Sequence, residues 1–407
     1  MRLALISFEF PPAVAIGGIG AYAWQAAIMM KAAGWDVEVF AAGSPGREPA
    51  EDHGIKVHRF PTENRSNFKN LIVDTFIERH RAKAFDVLES PEIGAEGSAI
   101  AAACPELPVV VKLHTPTYLV SKVGYEAPSL LQKTRFSLGA LARGRFAVLS
   151  KPAYQPEQDP ERKFALAADE IAAPSQSIGE TLVEDWSLDR GKVSCFPLPF
   201  CPDPELLNLP IPGKVTTVGF LGRLEARKGV VELAKAIPAI LKRRPDLRFR
   251  FIGPSWPFRG SDMESYIRGV CRKHLDQLEF TGPVARPKIP EQIRSCDIVV
   301  LPSRWENFPF ACWEMMAAGR AVIASNAGGM RDVIEDKVSG LLIPPHDPQA
   351  IMEAVLWLCE DKERVSRLGT SARARVLDLL NPERVLLQQT ASYHRAIARR
   401  SKKVACA

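Results

Sequence analysis

Residues 215–229 read Val-Thr-Thr-Val-Gly-Phe-Leu-Gly-Arg-Leu-Glu-Ala-Arg-Lys-Gly. The first seven form the short apolar run expected of a strand buried on both faces. A glycine-bounded turn over 222–229 follows, then helical periodicity over 230–243 and a second strand over 248–252. Strand, turn, helix and strand in this order make a βαβ unit, with parallel pairing and a right-handed crossover. Arg223 and Lys228 lie in the turn, at the carboxyl end of the first strand, where open α/β sheets bind ligands. A guanidinium fork matches phosphate oxygens in pairs, and an ammonium acts as a point charge. Taken alone, the turn fits a solvated basic face as well as a diphosphate site.

Working outward, the start of the chain has the same plan. Residues 1–8 read as a strand, 20–33 as a helix and 36–41 as the next strand. Further strands are predicted at 109–113, 170–173, 298–302 and 321–325. Residues 197–213 hold six prolines in seventeen positions, a composition that resists regular structure and reads as a linker. The expected fold class is α/β, with two Rossmann-like, doubly wound parallel sheets facing a central cleft. The expected divisions are 1–205, 206–379 and a terminal helical segment, 380–407, with a basic tail at 399–403.

Composition removes several classes. The chain has 407 residues, 46% hydrophobic and 25% charged, ordinary for a globular protein and long enough to need no disulfide staple. The eight cysteines contain no Cys-x-x-Cys pair, so a reduced, cytoplasmic setting is expected. Residues 10–30 carry no charge over 21 positions, about a bilayer's thickness of helix. Pro11-Pro12 and Gly17-Gly18-Ile19-Gly20 point instead to a strand, loop and helix. Residues 1–205 hold 21 Lys/Arg against 26 Asp/Glu, while 206–407 hold 32 against 21. The basic half suits an anionic small ligand. Aromatics are not interleaved with its cations as single-strand binding requires, so nucleic acid is not an expected partner.

Two further stretches carry chemistry. Gly18-x-Gly20-x-x-Ala23 has the form of a dinucleotide fingerprint but lies about ten residues past its strand, where the fingerprint calls for immediate contact. A redox site, a plain flexible turn and amides approaching a phosphate at a helix start all stay open there. At 301–319, a strand end leads through Arg304-Trp305-Glu306-Asn307-Phe308-Pro309 into a helix closed by Gly319. Glu306 in the loop and Glu314 two turns along can face one cleft, where carboxylates accept sugar or ribose hydroxyls. Pro309 suits the first helical turn.

Together, the turn 222–229, the Glu306-x7-Glu314 pair, residues 321–329 and 340–344, Gly17–Gly20, His114 and the run 168–171 with Ser175 resemble glycosyltransferase family 4. These are the group 1 retaining transferases of GT-B fold. The resemblance spans nearly the whole chain. It implies a nucleotide diphosphate sugar donor, with UDP placed ahead of GDP, and a sugar, lipid-linked or other small hydroxyl acceptor. Polysaccharide, glycolipid or other glycoconjugate synthesis would follow.

The resemblance places Gly18, Arg223 and Lys228 at the diphosphate and Glu314 at the ribose. Glu306, Asn307, Phe308 and Phe310 fall at the donor sugar, Gly282 and Val284 beside the nucleobase, and His114 beside the reacting carbon. It also sends the terminal helix back to the first domain. No Asp-x-Asp occurs, so neither a metal nor any other cofactor is expected. Acceptor loops are expected at 61–70 and 116–162, the latter basic and aromatic enough to meet the inner membrane face or to be a variable surface loop. Pro309 stands where the family often has glycine and removes one backbone donor. Residues 254–256, Pro-Ser-Trp, replace a more usual acidic, glycine-rich turn. An epimerase of the same fold, a nicotinamide oxidoreductase and a silent nucleotide-sugar binder are the rival readings.

Overall fold

The computed structural model describes residues 1–14, 17–43, 50–124, 130–144, 146 and 154–406. Its first sheet contains β1 (Arg2–Ile6), β2 (Asp36–Ala42), β3 (Ala50–Asp52), β4 (Ile55–Phe60), β5 (Val87–Pro91), β6 (Val109–Lys112), β7 (Glu170–Ala173) and β8 (Val193–Cys195). Their order is β3-β4-β2-β1-β5-β6-β7-β8, parallel throughout except for β3 against β4 at one edge. The two faces are read off β1 with period two. Leu3 and Leu5 pack beneath the helix Gly18–Ala32, while Ala4 and Ile6 pack with Phe68, Phe76 and Ile100 on the other side.

The second sheet contains β9 (Thr217–Leu221), β10 (Arg248–Ile252), β13 (Leu278–Phe280), β14 (Ile298–Leu301), β15 (Ala321–Ser325) and β16 (Leu341–Ile343). A small hairpin, β11 (Pro257–Phe258) with β12 (Ser261–Asp262), lies between β10 and β13. The order β13-β10-β9-β14-β15-β16 is parallel throughout. Strand order reverses between β9 and β14, and in the first sheet between β1 and β5. Such reversals open the crevice where α/β folds bind ligands. Both basic and glycine-rich loops found in the sequence leave strands at these points.

Local chemistry explains the small departures from expectation. β9 starts at Thr217, because Asp297 Oδ2 accepts both the amide (2.8 Å) and the hydroxyl (2.8 Å) of Thr216 ahead of it. The proline-rich connection is not wholly irregular. Asp203 caps the Glu205 amide at 2.9 Å and starts a short helix, Pro204–Leu207, with proline in its first turn. Pro309 precedes the helix Phe310–Ala317 as its cap rather than lying in its first turn.

The terminal helix Pro382–Cys406 lies on the first sheet, where Tyr393 and Ala396 join the cluster of Leu3, Leu5 and Val110. Its basic residues are not a solvated tail. Arg395 and Arg399 pair with Glu170, and Arg400 (2.6 Å) and Lys403 (2.8 Å) pair with Asp169. Both carboxylates are fully buried. They need those cations, since an unpaired buried charge is costly. Glu170→Gln should therefore cost about 1–3 kcal/mol, below the full value for a buried pair because Arg395 is partly hydrated. Thermal unfolding followed by circular dichroism should show a midpoint lowered by several degrees; an unchanged midpoint would contradict this role for the helix.

Candidate active site

The turn after β9 and the loop after β14 meet around one buried carboxylate. Glu306 forms an ion pair with Lys228, accepts from Ser303 Oγ at 2.9 Å, and lies 3.8 Å from Arg227 Nη1. Burial pushes the Glu306 carboxyl up, but Lys228 and Arg227 outweigh it and hold the group below its usual range. Arg227 and Arg223 also share Glu225, at 2.8 and 3.3 Å, and the Arg223 guanidinium lies 5.2 Å from the Trp256 ring centroid. Three cations thus face two carboxylates, leaving a net positive corner. The turn fits because Gly229 has φ +70, and a Cβ there would lie 1.8 Å from the Pro302 carbonyl oxygen. Only glycine permits that approach.

The first domain meets this corner directly. Asn307 Nδ2 donates to the His114 carbonyl, while its Oδ1 accepts from Ser175 Oγ at 3.2 Å. A Cβ on Gly18 would lie 3.2 Å from the Phe310 ring, so the absence of a side chain there admits the opposite domain. Ser177 Oγ donates to the Gly328 carbonyl at 2.9 Å, and the Ser177 amide to Asp332 at 3.1 Å. Between these contacts lies a cavity of about 490 Å³, lined by Gly18, His114, Arg223, Lys228, Glu306, Asn307, Phe308 and Phe310 among others.

Eight of the eleven residues proposed from sequence therefore line one cavity. Glu314 is buried and not among the described lining residues; its Oε1 lies 3.1 Å from Arg286, which is one of them. Burial raises the Glu314 carboxyl and Arg286 opposes that shift. Gly282 and Val284 are not among the described lining residues. Gly282 pairs with Gly253 in an isolated bridge, and Val284 packs on the apolar face that holds Leu301 and Trp313.

Sequence reading passed over Arg227, although it sits in the same turn one residue from Lys228. It also missed Glu92, whose two oxygens accept the His114 amide at 2.9 and 2.8 Å. Glu92 has no motif around it, and only the pairing of β5 with β6 brings it there. Its burial, with Glu161 nearby, raises its carboxyl to about 8.

Comparison with known proteins identifies the family of the chain. Residues 207–375 match the family described as Glycosyl transferases group 1, and residues 16–202 match Glycosyltransferase Family 4. The chain belongs to the group 1 glycosyltransferases of GT-B fold and is a transferase. It is 24% identical over 402 residues to the D-inositol 3-phosphate glycosyltransferase of Corynebacterium kroppenstedtii, covering 91% of this chain and 85% of that one. The glycogen synthase of Mycobacterium tuberculosis is 23% identical, over 92% of this chain and 90% of its own. Among solved structures, sucrose-phosphate synthase from Thermosynechococcus elongatus superposes with TM-score 0.73 at 22% identity, covering 98% and 99% of the two chains. HepE of Anabaena, solved with UDP and glucose, gives 0.66 at 18% identity over 96% and 99%. No helix among the described residues is long and apolar enough to cross a membrane.

His114 is buried, and that burial, with Lys112 and Arg65 nearby, lowers its imidazole to about 3. The unfolded side chain titrates near ~6.5, so between that pH and about 3 the unfolded chain holds a proton that the native chain refuses. Stability contributed by the neutral ring is complete above ~6.5 and lost as pH falls toward 3. The ring of His114 should show no protonation shift between pH 5 and 8 by histidine-selective nuclear magnetic resonance. A midpoint near the unperturbed value would contradict the buried placement.

Proposed function

We propose that this protein transfers a sugar, with retention of anomeric configuration, from a nucleotide diphosphate sugar to a hydroxyl acceptor in glycoconjugate or polysaccharide synthesis. The carrying observation is the positive corner of Arg223, Arg227 and Lys228 at the crevice of the second sheet, facing Gly18 and His114 of the first. UDP is the favoured base carrier, in keeping with the UDP in HepE of Anabaena, which shares the fold. Departure of the nucleotide develops negative charge on the β-phosphate. Cations and amides fixed beforehand around that charge are the largest single aid a protein can supply.

In the step, the bond from C1 to the β-phosphate oxygen breaks, and the bond from C1 to the acceptor oxygen forms on the same face. The acceptor proton passes to the departing phosphate. Arg223, Lys228 and the Gly18 amide take the diphosphate, and Lys228 has donors enough to keep Glu306 as well. Glu306, Asn307, Phe308 and Phe310 hold the sugar, Glu314 the ribose, and His114 stands beside the reacting carbon as a neutral hydrogen-bonding group. Gly282 and Val284 flank the base. Glu306 is not assigned as a nucleophile, because its charge is already committed to Lys228 and Ser303.

The acceptor enters from the first domain. A second cavity, about 600 Å³, is lined by Arg65, Ser66 and Lys69 from one expected acceptor loop and by Thr117, Tyr118, residues 154–155 and residues 158–161 from the other. Ile93 lines both cavities, so the two adjoin at that residue. Tyr118 and Tyr154 stack at 4.4 Å there, an apolar platform suited to a sugar ring. Within the second loop, residues 125–129, 145 and 147–153 lie outside those described. A contact of its neighbours Phe136, Leu138 and Leu141, all exposed, with the cytoplasmic membrane face belongs to the same reading.

Calorimetric titration separates these roles. Lys228→Ala should weaken UDP by roughly ten- to 150-fold, the worth of a hydrogen bond to a charged group, and leave uridine nearly unaffected. Arg223→Lys should also weaken UDP, since it keeps charge but loses the fork. Proton nuclear magnetic resonance of the first-formed product should show the donor's anomeric configuration. Unchanged UDP affinity in both variants would place the donor elsewhere, and an inverted product would remove the same-face step.

A further inference from the structure

Five buried polar side chains from four separate segments form one cluster that the reaction scheme does not use. Glu89 on β5 is fully buried; its Oε1 accepts from Tyr22 Oη at 2.5 Å. Its Oε2 accepts from Gln389 Nε2 at 2.6 Å and from Tyr393 Oη at 2.9 Å, both on the terminal helix. Gln389 Oε1 in turn accepts from Lys112 Nζ at 3.0 Å. Lys112 lies on β6 two residues before His114, and its ammonium is 4.1 Å from the Phe196 ring centroid and 5.1 Å from that of Tyr22. None of the five is among the lining residues of the cleft.

Tyr22 connects this cluster to the site. Its ring meets the His114 imidazole edge to face, with centroids 5.4 Å apart. It also packs in one apolar cluster with Ala26 and Leu198, against which Phe308 and Phe310 of the other domain rest. Among the described residues, no side chain is seen to hydrogen-bond a ring nitrogen of His114; its ties are through the backbone, the amide to Glu92 and the carbonyl to Asn307. The orientation of the imidazole therefore depends on what packs beside it, and Tyr22 is fixed by one charged acceptor.

We propose that Glu89, held by Gln389 and Tyr393 of the terminal helix, is a positioning residue that fixes the His114 ring through Tyr22. The inference rests on the reading of His114 as the group beside the reacting carbon. It gives the terminal helix a task beyond covering the sheet, since residues 300 positions from β5 in sequence set the geometry of the cleft. The buried charge of Glu89 also faces Lys112, whose ammonium burial lowers to about 8. Removing Glu89 alone strands that cation.

The test uses the full chain carrying Tyr22→Phe, Gln389→Leu, Glu89→Gln, and the charge-balanced pair Glu89→Gln with Lys112→Met. The last keeps the proposal testable if Glu89→Gln alone fails to fold. Histidine-selective carbon–proton spectra, with the His114 signal assigned from His114→Ala, report the ring directly and need no substrate. The expected result is a displaced or broadened His114 signal in Tyr22→Phe and Gln389→Leu, with UDP affinity by calorimetry unchanged. Turnover of UDP-glucose should fall about tenfold, the worth of one hydrogen bond to a charged group, with its KM within about twofold. A purely structural helix contact would lower the melting temperature of Gln389→Leu and leave the His114 signal where it was, which would overturn the proposal. Full turnover in His114→Ala would instead overturn the reading of His114 in the preceding section, and the spectra would still decide whether Glu89 orients the ring.

Discussion

Glu306 is the residue on which the cleft depends. A carboxylate with so little exposure must be matched by cations or it will take up a proton, and the matching groups, Lys228 and Arg227, come from a loop 78 residues away. The ion pairing therefore holds the ends of β9 and β14 together at the point where strand order reverses. The same residue anchors Ser303 and precedes Asn307, whose amide reaches the His114 carbonyl in the other domain. The turn after β9, the loop after β14 and the first domain are thus tied by two consecutive side chains.

Charge organises the rest of the molecule differently in each half. In the second half, Arg223, Arg227, Lys228 and Arg286 gather around Glu225, Glu306 and Glu314, next to the cleft. The first half is net acidic by formal count, and several of its acidic side chains are internal: Glu89, Glu92, Glu96, Asp169 and Glu170 are fully buried, and burial raises the carboxyls of Glu92 and Glu96 to about 8 and about 7. The terminal helix supplies Arg395, Arg399, Arg400 and Lys403 to the last two. The imbalance seen along the chain is reduced in space, because the basic end of the second half folds onto the acidic first domain.

The sequence pattern locates β10, β15 and the helix Val230–Arg243 to the residue, and β9 to within two residues at its start. Those elements are strongly apolar or strongly periodic and are bounded by glycine. The short helix Pro204–Leu207 was not seen, since one Asp203 cap in a proline-rich run is a weak signal. In the site, loop residues that follow strands were legible because an α/β fold presents them at the crevice. Helical spacing allows Glu314 to face the cleft, and in the structure it is buried and paired with Arg286, which lines the cavity.

The sequence by itself determined the two parallel sheets, the crevice and the types of side chain that face it. Local periodicity and glycine positions are properties of short segments, and a short segment is enough to specify a strand, a turn or a helix start. Only the tertiary structure decided which distant groups complete the site. Glu92 reaches the His114 amide because β5 pairs with β6, and Arg227 shares Glu306 because β9 pairs with β14. Glu89 meets Gln389 because the terminal helix returns to the first sheet. Such contacts depend on long-range burial, where a polar group must find a partner or bear the cost of desolvation. No spacing within either segment records which partner that will be.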